Sequence, residues 1–195
     1  MMSISQVIMN GQMATLGDMA LAGIGVASKV IMITGMLCIG FGQGVQPLLG
    51  FCIGARLWTR FKKIMQFSML FSLCLSIVMT ALCYVFSEQL IRVFLADSDA
   101  LDFGVRFLRI LLTTSFLFGM FYVLANALQA AGAATAALIV NLSRQGIIYI
   151  PALFLLRNML GANGLVWAQP VADLLSMAIV TILYIHTVNK MMAND

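Results

Sequence analysis

Three stretches of this chain, residues 30–55, 64–87 and 110–143, contain no Asp, Glu, Lys or Arg. A hydrocarbon core of about 30 Å needs about 20 apolar residues of helix, and each stretch exceeds that. None shows the two-residue alternation of a barrel strand, so helices are the spanning element. Composition agrees: 62% of the 195 residues are hydrophobic and 9% are charged. A soluble domain carries about 25% charged residues to solvate its surface. The mean hydropathy is +1.03. The sequence therefore predicts an all-α integral membrane protein whose main partner is the lipid bilayer.

The same composition excludes other classes. The net charge is +4, but the chain lacks the solvated basic face that binding a nucleic acid requires. Cys38, Cys52, Cys74 and Cys83 all fall inside apolar runs without paired spacing, and read as small hydrophobes rather than disulfide or metal ligands. His186, the single histidine, sits near the end of the last helix. The apolar runs hold no nucleophile with its base and no metal-ligand cluster, so the expectation is no enzyme, no metal and no cofactor. The opening "MMSISQVIMNGQMATLGD" lacks a basic n-region and a small-residue cleavage site, and reads as helix in progress rather than signal peptide.

Hydropathy and breakers divide the chain into a single transmembrane unit of six helical segments: residues 1–14, 20–51, 64–86, 107–131, 135–156 and 165–188. The first is too short to span and is read as partial. The second, roughly 46 Å long, exceeds the bilayer and must tilt, kink or project. A polar loop, "SEQLIRVFLADSDALDFGVR", follows the third segment and holds a short surface helix; "RNMLGANG" turns the chain between the fifth and sixth. The loop after the second segment holds Arg56, Arg60, Lys62 and Lys63 and no acid, whereas the next holds Glu88, Asp97, Asp99 and Asp102 against Arg92 and Arg106. By the positive-inside bias the four cations are topology anchors. They place their loop and both chain ends in the cytoplasm, and Lys190 agrees.

Residues 40–63, "GFGQGVQPLLGFCIGARLWTRFKK", join glycine, amide and proline to that cationic block. A dinucleotide fingerprint is excluded, because the third glycine position counted from Gly42 is Pro47 and no strand precedes it. Gly40, Gly42, Gly44 and Pro47 are read instead as a kink and a close helix contact. Gln43 and Gln46 then offer hydrogen bonds to a partner helix or a wet cleft. Other polar residues at membrane depth are Gln6, Asn10, Asn126, Gln129, Asn141 and Tyr149.

Charges at depth are more informative, since they face a bundle interior or cavity. Arg144 lies about 14 Å into the fifth segment and Asp173 about 12 Å into the antiparallel sixth. In a slab of about 30 Å their levels differ by only about 4 Å. An ion pair between them is geometrically open. Lys29, about 14 Å deep on the second segment, competes for Asp173. The pair reads either as a structural tie between helices or as part of a transport or proton path.

Six pieces, "LGDMALAGIGVASKV", "GFGQGVQPLLGFCIGARLWTRFKK", "LIRVFLADSDALDFGVRFLRI", "NALQAAGAAT", "SRQGIIYIPALFLL" and "GLVWAQPVADLLS", occur in this order. Together they resemble the carboxy-terminal half of a multidrug and toxic compound extrusion (MATE) transporter. The resemblance implies a twelve-helix protein of two six-helix lobes around a cleft, working by alternating access as a cation-coupled antiporter in the cytoplasmic membrane. This chain would be the second lobe with its first helix truncated, the amino-terminal lobe its partner, and organic cationic or amphipathic molecules its cargo. Some members carry cation-binding carboxylates on the first and fourth helices of the second lobe. Residues 1–14 and 110–131 hold none here, so H+ is expected over Na+ as the coupling ion. Gln6, Asn10, Gln43, Gln46, Asn126 and Gln129 are the substrate-cleft candidates. The alternatives are a lipid-linked oligosaccharide flippase of the same superfamily, and a non-transporting membrane fragment or assembly partner.

Overall fold

The computed structural model describes residues 2–15, 17–95 and 98–193, and every regular element among them is helical. Asp97, one of the acids used above to orient the chain, lies outside the described residues. The elements are α1 (Met2–Ala14), α2 (Asp18–Gly54), α3 (Trp58–Val85), α4 (Ser87–Arg92), α5 (Ser98–Ser115), α6 (Phe118–Ala130), α7 (Ala134–Leu142), a π-helical turn (Ser143–Ile147) and α8 (Tyr149–Ala193).

The segment expected to kink stays helical throughout: α2 runs 37 residues without interruption through Gly40, Gly42, Gly44 and Pro47. Pro47 lies inside the helix and forfeits one rung of its ladder. Close packing also falls on fewer glycines than expected. A Cβ on Gly42 would lie 3.2 Å from the Tyr122 backbone and 2.8 Å from Asn126 Nδ2, whereas one on Gly40 or Gly44 would meet nothing within 4 Å.

The turn after α2 is shorter than expected. Arg56 adopts a left-handed φ of 56°, and the Leu57 amide bonds the Cys52 carbonyl at 2.8 Å while the Arg56 amide bonds Ile53 at 3.0 Å. This is a Schellman closure with arginine where glycine is usual. Helix α3 then starts at Trp58, so Arg60, Lys62 and Lys63 stand on its opening turns rather than in a loop. The same closure ends α6 at Gly132, with φ 72°.

The expected single helix over 107–131 is two helices, α5 and α6, bent by 49° at residues 116–117. Hydroxyls in "TTS" explain the break. Thr113 and Ser115 donate back to the Ile110 and Leu111 carbonyls, which bends helices. The Phe116 carbonyl at the corner is bonded by Ser76 of α3 at 2.6 Å. The segment expected over 135–156 is likewise interrupted, by a π turn that ends four residues before Pro151. Proline can neither donate to residue 147 nor accommodate its carbonyl, and the ladder slips to a wider turn, closed by Ile148 N to Ser143 O at 3.0 Å.

The expected turn over 157–164 narrows to Gly161, with φ 60° and ψ −133°. A Cβ on Gly164 would lie 2.0 Å from the Leu156 carbonyl, so the chain doubles back and α8 is two antiparallel legs. Arg157 ties the first leg to the end of α1 through Gln12 and Thr15.

Two apolar clusters fill the bundle. One, around Met13, Ile24, Phe107, Leu108, Leu153 and Leu165, joins α1, the start of α2, α5 and the Gly161 end of α8. The other, around Leu49, Phe61, Phe121, Leu128, Val140 and Val180, joins the end of α2, the start of α3, α6, α7 and the second leg of α8. Helices α3 and α6 meet through small residues, because a Cβ on Gly119 would stand 2.2 Å from the Ser72 carbonyl. Gly119→Ala is expected to lower stability by about 1–3 kcal/mol through overpacking. Gly44→Ala should be neutral or gain up to about 1 kcal/mol in helix propensity. Thermal denaturation in detergent checks both.

Candidate functional site

Between the two apolar clusters lies a belt of buried polar side chains. Thr34 comes from α2, Ser72 and Ser76 from α3, Thr114 and Ser115 from α5, Asn126 from α6, Ser143 and Arg144 from the π turn, and Asp173 and Ser176 from α8. At its centre Arg144 Nε donates to Asp173 Oδ1 at 2.7 Å, and the two side chains are 8% and 4% exposed. Arg144 Nη1 donates to the Tyr122 hydroxyl at 2.9 Å. Its guanidinium carbon stands 4.6 Å from the Phe118 ring centre, 4.7 Å from Phe121 and 5.4 Å from Tyr122. The carboxylate receives two further donors, Gln169 Nε2 at 3.0 Å and Thr114 Oγ1 at 3.3 Å.

Each partner is delivered by a local irregularity. The π turn offsets the face of its helix by a fraction of a turn, and π turns recur at functional sites; here it carries Arg144. The bend at residues 116–117 sets Thr114 on one side of the corner and Phe118, Phe121 and Tyr122 on the other. Gln169 and Asp173 are four apart on the second leg of α8, around the buried Pro170. Three aromatic faces and one phenol hydroxyl surround the buried cation. Such contacts are worth about 2 kcal/mol each when desolvated. The paired ions bring their own desolvation penalty, so the arrangement is a specific tie rather than a large net gain.

The other sequence-derived residues sit elsewhere. Lys29 is exposed and does not reach Asp173, whose oxygens are taken by Arg144, Gln169 and Thr114. Asn126 is buried and its amide is spent on the Tyr122 carbonyl at 2.7 Å, which closes it to a cleft. Gln6 and Asn10 on α1, Gln43 on α2 and Gln129 at the end of α6 are exposed, and Gln46 is half-buried. No hydrogen bond joins these amides to one another among the described residues. Asn141 donates back to Ala137 within its own helix. Sequence reasoning missed Tyr122, Thr114, Gln169 and the aromatic cage; the available signals were "TTS" and Pro151. It also missed a groove of about 780 Å³ at the acidic end, lined by Tyr84, Glu88, Asp102, Arg106, Arg109 and Trp167. No group of three His, Cys, Asp or Glu among the described residues could hold a metal ion.

Asp173→Asn leaves a buried guanidinium without its counter-charge and is expected to cost about 3–5 kcal/mol. Tyr122→Phe removes one hydrogen bond and keeps the ring, for about 1–2 kcal/mol. Lys29→Gln should change stability by less than about 0.5 kcal/mol. Fluorescence-detected size exclusion after graded heating reads all three.

Comparison with known proteins bears on the whole lobe. The MatE family model matches residues 1–155. The multidrug export protein MepA of Staphylococcus haemolyticus is 26% identical over 178 residues, 89% of this chain and 38% of that protein. MepA of Staphylococcus saprophyticus is 27% identical over 190 residues, 95% of this chain and 41% of that protein. The chain thus spans about two fifths of the length of these relatives. Among solved structures, the Vibrio cholerae MATE transporter VcmN in its bent form superposes with a TM-score of 0.88 at 18% identity, over 97% of this chain and 43% of that one. A MATE protein in the bent conformation gives 0.80 at 25% identity, over 93% and 40%. With the family model covering most of its length and a fold that repeats about two fifths of a MATE transporter, the chain belongs to the MatE family.

Proposed function

We propose that this chain is the carboxy-terminal lobe of an antiporter that exports organic cations and amphipathic molecules across the cytoplasmic membrane by alternating access. The carrying observation is the superposition of nearly the entire chain on less than half of a MATE transporter, joined to relatives described as multidrug export proteins. The amino-terminal lobe is the inferred partner. Binding and release across a membrane, rather than bond chemistry, is the activity that such a helical lobe supports.

The outer face of α2 is the inferred wall of the cleft. Lys29, Gly40, Gln43, Gly44 and Pro47 are all exposed along it. Small and polar residues at membrane depth fit a water-accessible cleft better than lipid. Gln43, Gln46, Gln6, Asn10 and Gln129 remain the proposed substrate contacts, without Asn126. The cationic end of α2 and α3, Arg56 to Lys63, is assigned to the cytoplasmic side by the positive-inside bias, with both ends of the chain on that side.

Proton coupling is favoured over sodium. Asp173, the one buried carboxylate among the described residues, already holds a guanidinium and two neutral donors, so the coupling carboxylate is assigned to the other lobe. Efflux of a fluorescent lipophilic cation from proteoliposomes carrying both lobes tests this. A proton gradient alone is expected to drive efflux, and a sodium gradient alone to leave it at the leak rate. Efflux driven only by sodium would overturn the coupling assignment. Gln43→Ala is expected to raise the half-saturating dye concentration about threefold to tenfold, the weight of one hydrogen bond, with stability unchanged.

A further inference from the structure

The cations that begin α3 have a role beyond orienting the chain. A groove of about 370 Å³ lies between the last turns of α2 and the first turns of α3, lined by Leu48, Phe51, Cys52, Arg60, Lys63 and Ile64. Leu48 is 55% exposed and Phe51 65% exposed, so the wall is open apolar surface. Arg60 and Lys63, three residues apart on one helix face, are also exposed and set two positive charges at its rim. Neither has an ion-pair or hydrogen-bond partner among the described residues.

No internal carboxylate answers this charge. Residues 19–87 and 103–172 contain no Asp or Glu. Asp18, Glu88, Asp99 and Asp102 stand at the opposite end of the bundle, and Asp173 is engaged at mid-depth by Arg144. A groove with an apolar floor and a doubly cationic rim, at the end of two membrane helices, matches one chemistry: an anionic head joined to a hydrocarbon tail. A free anion would leave the apolar wall uncovered, and a neutral lipid would leave the cations unanswered.

We propose that this groove binds an acidic phospholipid of the surrounding leaflet. Its phosphate lies at Arg60 and Lys63, and its acyl chain runs along Leu48, Phe51 and Ile64. Lipid bound there bridges α2 and α3 at the turn where Arg56 holds its left-handed conformation. Phe51 continues the face of α2 that carries Gly40, Gly44 and Pro47, so the lipid sits at the cationic end of the proposed cleft wall, where that wall meets the leaflet.

The test uses the full-length protein in phosphatidylcholine nanodiscs doped with phosphatidylglycerol, with retained lipid read by native mass spectrometry. Wild type is expected to retain phosphatidylglycerol over phosphatidylcholine. Each rim cation is worth about fivefold, so Arg60→Gln with Lys63→Gln should lower retention more than tenfold. Lys62→Gln removes equal charge from the same turn but does not line the groove, and should lower retention less than about twofold. Phe51→Ser, with every charge intact, should lower it several-fold. Inorganic phosphate should not compete. Equal losses for Lys62→Gln and Lys63→Gln, equal retention of the two lipids, or displacement by phosphate would each overturn the proposal. Photoactivatable phosphatidylglycerol on the wild-type protein gives an independent reading. Label on the peptides holding residues 48–52 and 64 supports the site, and label spread evenly over other helices refutes it.

Discussion

A guanidinium in the middle of a membrane-embedded bundle cannot be left to lipid. Arg144 is the constraint that the other features of the belt answer. Its nearest anion, Asp173, comes from the antiparallel leg 29 residues further along, so the hairpin at Gly161 must close for the charge to be tolerated. The carboxylate then needs donors of its own, which Gln169 and Thr114 provide. The face of the cation needs π-density, which Phe118, Phe121 and Tyr122 provide from beyond the bend. Isolated on a lone helix such a charge would cost many kcal/mol. Paired with Asp173, bonded to Tyr122 and flanked by three rings, it specifies how α5, α6, the π turn and α8 sit together.

The π turn, the α5 to α6 bend and Pro170 share the level of this belt, between the two apolar clusters. Carbonyls freed by broken ladders need partners in a membrane, and Ser76 and Ser5 supply them at Phe116 and Gln145. Alternating access, as proposed, rests on the family relationship.

The parts legible in the sequence were those written in long patterns. Charge-free runs give the membrane class, and antiparallel depth brings Arg144 and Asp173 to one level. Gly132 marks the end of α6 because its left-handed backbone is cheap only for glycine. The illegible parts depended on short signals whose meaning is set by neighbours. "TTS" bends a helix only when its hydroxyls turn back on the ladder and Ser76 is present to take the Phe116 carbonyl. Pro47 and Pro151 look alike in sequence, yet one sits in an unbroken helix and the other follows a π turn. Gly40 and Gly44 read as packing residues because small residues in membrane helices usually are, but only Gly42 faces α6.

The central claim is that Arg144 and Asp173 act as one unit holding the lobe's helices in place. A double-mutant cycle on thermal or denaturant stability in detergent, with Arg144→Gln, Asp173→Asn and both together, measures this without reference to any substrate. The account predicts that the double variant is more stable than the sum of the single losses requires, with a coupling of about 2 kcal/mol or more. Losses that add to within about 0.5 kcal/mol would show that the two charges stabilise the lobe independently, and would contradict it.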